Sequence, residues 1–360
     1  MASVSGRLRE RSTPRDFEDF FREATGNPPF PFQRAFAQAR SLPQLVQIPT
    51  GLGKTAMAVV GWLWRRFGGG EERKAATPRR LVYCLPMRVL VEQTVENARL
   101  WITNLAAAGL LDGDPPSVHV LMGGEPAEEW DIHPEREAIL VGTQDMLLSR
   151  ALMRGYGMSR YQWPVHFAFL HNDALWVYDE VQLMGPALST SAQLEGFRRS
   201  EGTRPALPAG SVWLSATLNP DWLDTVDLRP HRDYLLRLEL SDDEKHHPVV
   251  RARREAVKPL RRAETALSAE HATKRGLQQY AESLGQEVLA QHDPEGDTLV
   301  VVNRVERAQA LYDALRKRTA PSGVDEILLI HARFRPAERR DIERRLHAAQ
   351  GAGRVIIATR

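Results

Sequence analysis

A single cysteine, Cys84, in 360 residues leaves no partner for an intramolecular disulfide and no thiolate cluster for zinc. Its setting, LVYCLP, is that of a buried strand residue. Long apolar runs are also missing. No stretch approaches the roughly 20 residues that a membrane-spanning helix needs, so no membrane partner is expected. The opening MASVSGRLRERSTPRDFEDFF is charged and has no apolar signal-peptide centre. A cytoplasmic protein is expected. Charge of one sign is scarce too: the net is +2, which excludes a basic coat protein. Low-complexity tracts and short-period repeats are absent.

What is there is apolar material for more than one core, since 42% of the residues are hydrophobic. It comes in short runs: LVQI, LVYCLP, VHVLMG, AILVGT, ALWVYDE and SVWLSAT. Each is rich in Val, Ile, Leu or Trp, as buried parallel strands are. Helical spacing separates several of them, most clearly in MRVLVEQTVENARLWITNL. The alternation predicts an α/β domain with a doubly wound sheet.

After SVWLSATLNPDWL the text turns polar and basic, and suits a linker with one leading strand. The alternation then restarts: GLQQYAESLGQEVLAQ, DTLVVVN, ERAQALYDALRKR, EILLIHARF, AERRDIERRLHAAQ and RVIIATR. The expected layout is an N-terminal extension over 1–27, a first domain over 28–239, and a linker with an incomplete second domain over 240–360. RVIIAT runs into the C-terminus, so the chain is expected to be a fragment. Within the linker, RARREAVKPLRR carries six basic residues against one acid. Such a run can hold a phosphate backbone or be a solvated face, and the sequence leaves both open.

The chemistry starts at IPTGLGKT. Ile48 stands where the strict phosphate-loop pattern has its first glycine, but TGLGKT remains, with a strand before it and a helix after it. In such a loop Thr50, Gly51 and Gly53 bring backbone N–H groups to the phosphates. Lys54 reaches the β and γ phosphates, and the Thr55 hydroxyl takes Mg²⁺. The second element is WVYDEVQ. A strand-end Asp179 can hold the metal, and Glu180 can orient or deprotonate an attacking water. ATP and Mg²⁺ are the expected cofactors.

Further segments fall in a fixed order: PFPFQ ending at Gln33, LPMRVLVEQ, VGTQDM, DEVQ, LSATL, VVVNRVERAQ, LLIHARFRPAERR and IIATR. In order and spacing the chain resembles the superfamily 2 helicases over nearly its whole length. Within them it is similar to the CRISPR-associated helicase–nuclease of type I systems, chiefly in LIHARFRPAERRDIE and LPMRVLVEQT. DEVQLMG, with Gln182 where most members have His, points to the subtype with a C-terminal HD nuclease domain.

The resemblance implies two RecA-like doubly wound parallel-sheet domains in tandem, the second incomplete. It implies ATP-dependent translocation on single-stranded DNA, with the guide-RNA surveillance complex as partner. By position, Gln33 would read adenine. Lys54, Asp179, Glu180 and Gln182 would carry catalysis. Arg88, Thr143, Gln144, Asn303, Arg304, His331 and Arg333, with Phe334, would line the strand. Ser215 and Thr217 would couple hydrolysis to motion. The family's later arginine-bearing motifs lie beyond Arg360, so weak hydrolysis is expected of the chain itself. An RNA helicase of the same superfamily and a non-catalytic ATP- and strand-binding fragment are the alternatives. His292-Asp293, in AQHDPEGD, lacks supporting histidines and reads as a loop, not as a metal nuclease site.

Overall fold

The computed structural model describes residues 16–123, 130–257, 259–318, 323–331, 333–347 and 353–359. The chain divides into two compact units, Met1–Ala256 and Val257–Arg360. In chain order the first unit contains α1 (Phe17–Thr25), α2 (Pro31–Gln38), β1 (Leu45–Gln47), α3 (Lys54–Leu63), α4 (Glu71–Ala76), β2 (Arg80–Leu85) and α5 (Arg88–Ala107). It continues with β3 (Ser117–Leu121), β4 (Ala138–Thr143), α6 (Gln144–Ala151), α7 (Trp163–His171), β5 (Ala174–Tyr178) and α8 (Pro186–Arg199). It ends with β6 (Gly210–Ser215), β7 (Arg237–Glu239), α9 (Asp242–His246) and α10 (Pro248–Arg254).

The seven strands form one sheet in the order β3-β4-β2-β5-β6-β1-β7, and every pairing is parallel. Because strand side chains alternate between faces, each central strand feeds two cores. Leu81, Tyr83 and Leu85 join Val177, Leu214 and the helices α1, α2, α3 and α5 on one face. Val82 and Cys84 join Trp176, Tyr178, Trp213 and the helices α6 and α8 on the other. Burial on both faces explains why β2 and β5 read as unbroken apolar runs. Cys84 is fully buried, and burial pushes its thiol above the ordinary range.

Two features depart from the expected layout. Residues 1–15 of the expected N-terminal extension lie outside the described residues. The remainder is not an appendage: Phe17, Phe20, Phe21 and Ala24 on α1 are buried in the first core, and Phe17 and Phe20 meet Trp64 edge-on. Nor does the linker begin at 240. β7 is the edge strand of the first sheet, paired with β1. α9 and α10 also belong to the first unit: Glu244 accepts a 2.6 Å hydrogen bond from the Phe32 amide, and Val250 is fully buried. The polar surface of this segment hides two anchors, one of them 212 residues from its partner.

The second unit holds α11 (Lys274–Gln291), β8 (Asp297–Val302), α12 (Val305–Arg316), β9 (Glu326–Ile330), α13 (Pro336–His347) and β10 (Arg354–Thr359). Its sheet runs β8-β10-β9, again all parallel. Val288, Val302, Leu311, Leu315, Val355 and Ile357 form its core.

Candidate active site

In open parallel sheets, the carboxyl ends of the strands are where ligands bind. In the first unit that edge carries the loop from Ile48 to Gly53, between β1 and α3. Gly51 and Gly53 both sit at φ +76°, a backbone region that side-chain-bearing residues rarely adopt. A Cβ on Gly53 would stand 2.9 Å from Gln33 Nε2, so that position is closed to larger residues on packing grounds as well. The first N–H groups of α3 have no intrahelical partner and present their positive ends at this edge. Lys54 is buried. Its Nζ donates to the Ile48 carbonyl at 3.2 Å and lies 3.7 Å from Glu180 Oε1.

β5 lies two strands away, across β6, and ends at the paired acids. Asp179 is buried: Oδ2 accepts from the Tyr83 hydroxyl at 2.8 Å and Oδ1 from the Glu180 amide at 2.8 Å. Burial pushes its carboxyl above the usual range, against the Tyr83 hydrogen bond and the Lys54 charge, which pull it down. Burial likewise holds the Tyr83 phenol well above its ordinary value. The Thr55 side chain, from the first turn of α3, reaches the same hydroxyl.

Glu180 has φ +50° and ψ +47°. That left-handed conformation costs about 1–2 kcal/mol in a residue with a side chain. It turns the chain sharply, so that Asp179 and Glu180 can both serve one site. Gln182, in the short 3-10 turn that follows, donates to Glu180 and accepts at Oε1 from Ser215 Oγ at 2.8 Å. Ser215 Oγ in turn accepts from the Thr217 amide at 3.0 Å. The end of β6 is thus hydrogen-bonded to the acids at the end of β5.

Among the described residues no group of three or more His, Cys, Asp or Glu could hold a metal ion. Thr55 and Asp179 offer two oxygen donors that meet at Tyr83. Mg²⁺ takes one or two protein oxygens and completes its shell with water and phosphate. The donor set therefore fits Mg²⁺ arriving with phosphates, and not a resident, fully caged ion.

Gln33 is buried on α2. Its Oε1 accepts from the Phe30 amide at 2.8 Å and its Nε2 donates to the Gly53 carbonyl at 3.0 Å. Its Nε2 also donates to the Leu52 carbonyl at 3.5 Å, so it ties α2 to the loop at two points and retains one acceptor site. Thr50 is exposed at the loop's rim.

The other half of the same edge gathers a second set. Leu85, at the end of β2, is in register with Thr143, at the end of β4. Arg88, one turn beyond β2, is exposed and donates to the Gly123 carbonyl at 2.6 Å. Thr143 stands at the start of α6. Gln144 follows, with an Oε1 that has no partner among the described residues. The sheet order keeps these residues beside β5 and apart from the loop at β1.

In the second unit, Asn303 and Arg304 follow β8, and His331, Arg333 and Phe334 follow β9. Both turns lie at the carboxyl edge, either side of β10. The His331 and Phe334 rings stack at 4.2 Å, and Arg333 pairs with Glu306 on α12 at 2.6 Å. Arg307 donates to Asn303. Each unit therefore brings its own share of the sequence-predicted residues together.

Two contributors escaped the sequence. Tyr83 lies in an apolar run whose only hint is a polar-tipped ring, and its partner Asp179 is met through β2–β5 pairing. Glu244 looks like one acid among several in DDEKHH, and only the fold brings it to Phe32.

The family model for the DEAD/DEAH box helicase matches residues 32–226. A second, for the CRISPR-associated nuclease/helicase Cas3, C-terminal, matches residues 294–360. No curated protein matches the chain. Among solved structures, Mss116p bound to ssRNA and AMP-PNP is 14% identical, with a TM-score of 0.57 over 97% of this chain and 66% of that one. The DUF1998 helicase MrfA bound to DNA is also 14% identical, with a TM-score of 0.56 over 95% of this chain and 44% of that one. At such identity these likenesses show the fold: tandem RecA-like domains.

Proposed function

The chain belongs to the DEAD/DEAH box helicase family, and from that premise we propose that it is an ATP-driven translocase on single-stranded DNA, working in a type I CRISPR interference system alongside the guide-RNA surveillance complex. The observation that carries the ATP-driven part is the bonded line from buried Lys54 through Glu180 and Gln182 to buried Ser215. It links a phosphate loop, a pair of acids and a neighbouring strand end at one sheet edge. The match of residues 294–360 to the Cas3 C-terminal family supports the CRISPR part.

In this reading the N–H groups of the loop and α3 bind the β and γ phosphates, with Lys54 turning from the Ile48 carbonyl to the γ phosphate. Thr55 and Asp179 hold Mg²⁺, which when bound neutralises phosphate charge. Tyr83 positions the Asp179 carboxylate. Glu180 orients the attacking water and takes its proton. Gln33 contacts the adenine edge by turning its amide from the loop carbonyls, and so senses base and loop together. Gln182, Ser215 and Thr217 pass the state of the acids to the end of β6. Arg88, Thr143, Gln144, Asn303, Arg304, His331 and Arg333 grip backbone phosphate and sugar, so little sequence preference is expected. We place the domain boundary at the division after Ala256.

The test is ATP hydrolysis by the chain alone, with single-stranded DNA and with RNA of the same sequence, beside Lys54→Ala. Weak, DNA-stimulated hydrolysis that Lys54→Ala abolishes is expected. Stimulation by RNA alone would transfer the reading to an RNA helicase. Nucleotide binding without Lys54-dependent hydrolysis would transfer it to a non-catalytic module.

A further inference from the structure

The basic run RARREAVKPLRR has no role in the reading above, yet the structure holds one of its arginines against the phosphate loop. α10 is anchored there from several sides. Glu244 on the preceding α9 caps the Phe32 amide at 2.6 Å. The His247 ring meets Phe30 edge-on at 5.4 Å. Val250 is fully buried in the cluster that contains Ile48, Leu52 and Met57. Residues three apart share a helix face, so the burial of Val250 turns Arg253 toward the same loop. Its guanidinium packs on Gly51 so closely that a Cβ built on that glycine would fall 1.9 Å from Nη1. Arg251, on the other side of the helix, is paired with Glu255 at 3.2 Å. The Arg253 guanidinium has no hydrogen-bond or ion-pair partner among the described residues.

A guanidinium beside the N–H groups of a phosphate loop gains nothing from the loop, because both present positive ends. Each is complementary to a phosphate, and the arginine fork suits phosphate oxygens in particular. From this juxtaposition we infer that Arg253 is a further phosphate-binding residue of the nucleotide site, supplied by the segment that follows the first sheet. The inference rests on the nucleotide reading of that loop. It also divides the basic run: Arg253 serves the nucleotide, whatever the remaining charges do. Gly51 then has two duties, its positive φ and the room it leaves for Arg253.

The test is the affinity of the full chain for ATP and ADP, each with Mg²⁺, measured by displacement of a fluorescent nucleotide at low and high salt. Arg253→Ala is expected to weaken both roughly three- to tenfold at low salt, and less at high salt. Arg253→Lys should recover part of the loss. Arg251→Ala should bind as wild type does. Arg253 is exposed, so its removal should leave Tm unchanged without nucleotide. Wild-type affinity in Arg253→Ala would overturn the inference and reduce the contact to packing. Tighter binding would overturn it too, making Arg253 an obstruction. If wild type binds neither ATP nor ADP, the nucleotide reading itself falls and takes the inference with it.

Discussion

The two units use one architecture and handle polar groups in opposite ways. In the first, Lys54, Asp179 and Ser215 are buried and tied, through Tyr83, Glu180 and Gln182, into a chain of hydrogen bonds and one ion pair. In the second, Asn303, Arg304 and Arg333 stand exposed at their sheet edge, with Arg333 pairing sideways with Glu306 and Asn303 accepting from Arg307. The sheets differ in the same sense. β5 is buried along its whole length, whereas Leu299 and Val301 on β8 are 61% and 60% exposed. On the proposed reading, the difference teaches what each task demands. Bond cleavage needs donors and acceptors fixed before the reaction, in a low dielectric where each is worth more. Holding a strand that must slide needs charges that water can replace.

The sharpest way to break this comparison is Glu180→Gln. It keeps shape and hydrogen bonding but removes the base, so hydrolysis should fall by about 10²–10⁴-fold with nucleotide affinity nearly unchanged; equal rates in a steady-state assay would remove Glu180 from the chemistry. Next comes the core. Phe20→Ala, at a fully buried position of α1, should destabilise the first unit by about 3–5 kcal/mol, read as an early melting transition. A loss within about 0.5 kcal/mol, as for a surface site, would return α1 to the status of an appendage.

Asp179→Asn should do the reverse to stability. The folded-state pKa of Asp179 is raised above its unfolded value, so ionisation disfavours the folded state. That penalty is absent below the unfolded value and complete above the folded one. The variant should therefore melt higher than wild type at neutral pH, with the gap closing as pH falls through the raised pKa, while hydrolysis is lost. A gap that widens in acid would mean that burial does not govern this group. A smaller effect is expected from Arg333→Ala: DNA affinity should weaken severalfold, with the salt slope reduced by about one and hydrolysis without DNA untouched. Smallest of all is Leu299→Lys, which should change stability by no more than about 0.5 kcal/mol. A large loss there would show that the exposed face of β8 is covered in solution.

Much of this was legible in the sequence. The apolar runs predict nine of the ten strands among the described residues, because a parallel strand buried on both faces leaves an uninterrupted signature. The loop and the DEVQ segment were legible because their chemistry demands fixed residue types at fixed spacing. β7 is the exception: RLE is three residues of half-polar edge strand, and only its pairing with β1 assigns it to the first sheet. The linker reading of 240–256 failed for a related reason. Composition records the exposed arginines and acids of α9 and α10, but not that Glu244 and Val250 dock both helices on α2 and the loop. Position in the motif order assigns Gln33 to adenine, yet the bonds it makes within the chain go to Phe30, Leu52 and Gly53, partners no linear spacing announces.

Tyr83 has a consequence outside catalysis. Its phenol is sealed within the first core, bonded to Asp179 and held protonated well beyond the pH at which free tyrosine ionises. In a rapid jump to alkali, surface tyrosines should turn into tyrosinate at once, while Tyr83 waits for the site to open. The slow phase of that absorbance change would be a clock, set inside the first core, that times how often that core breathes.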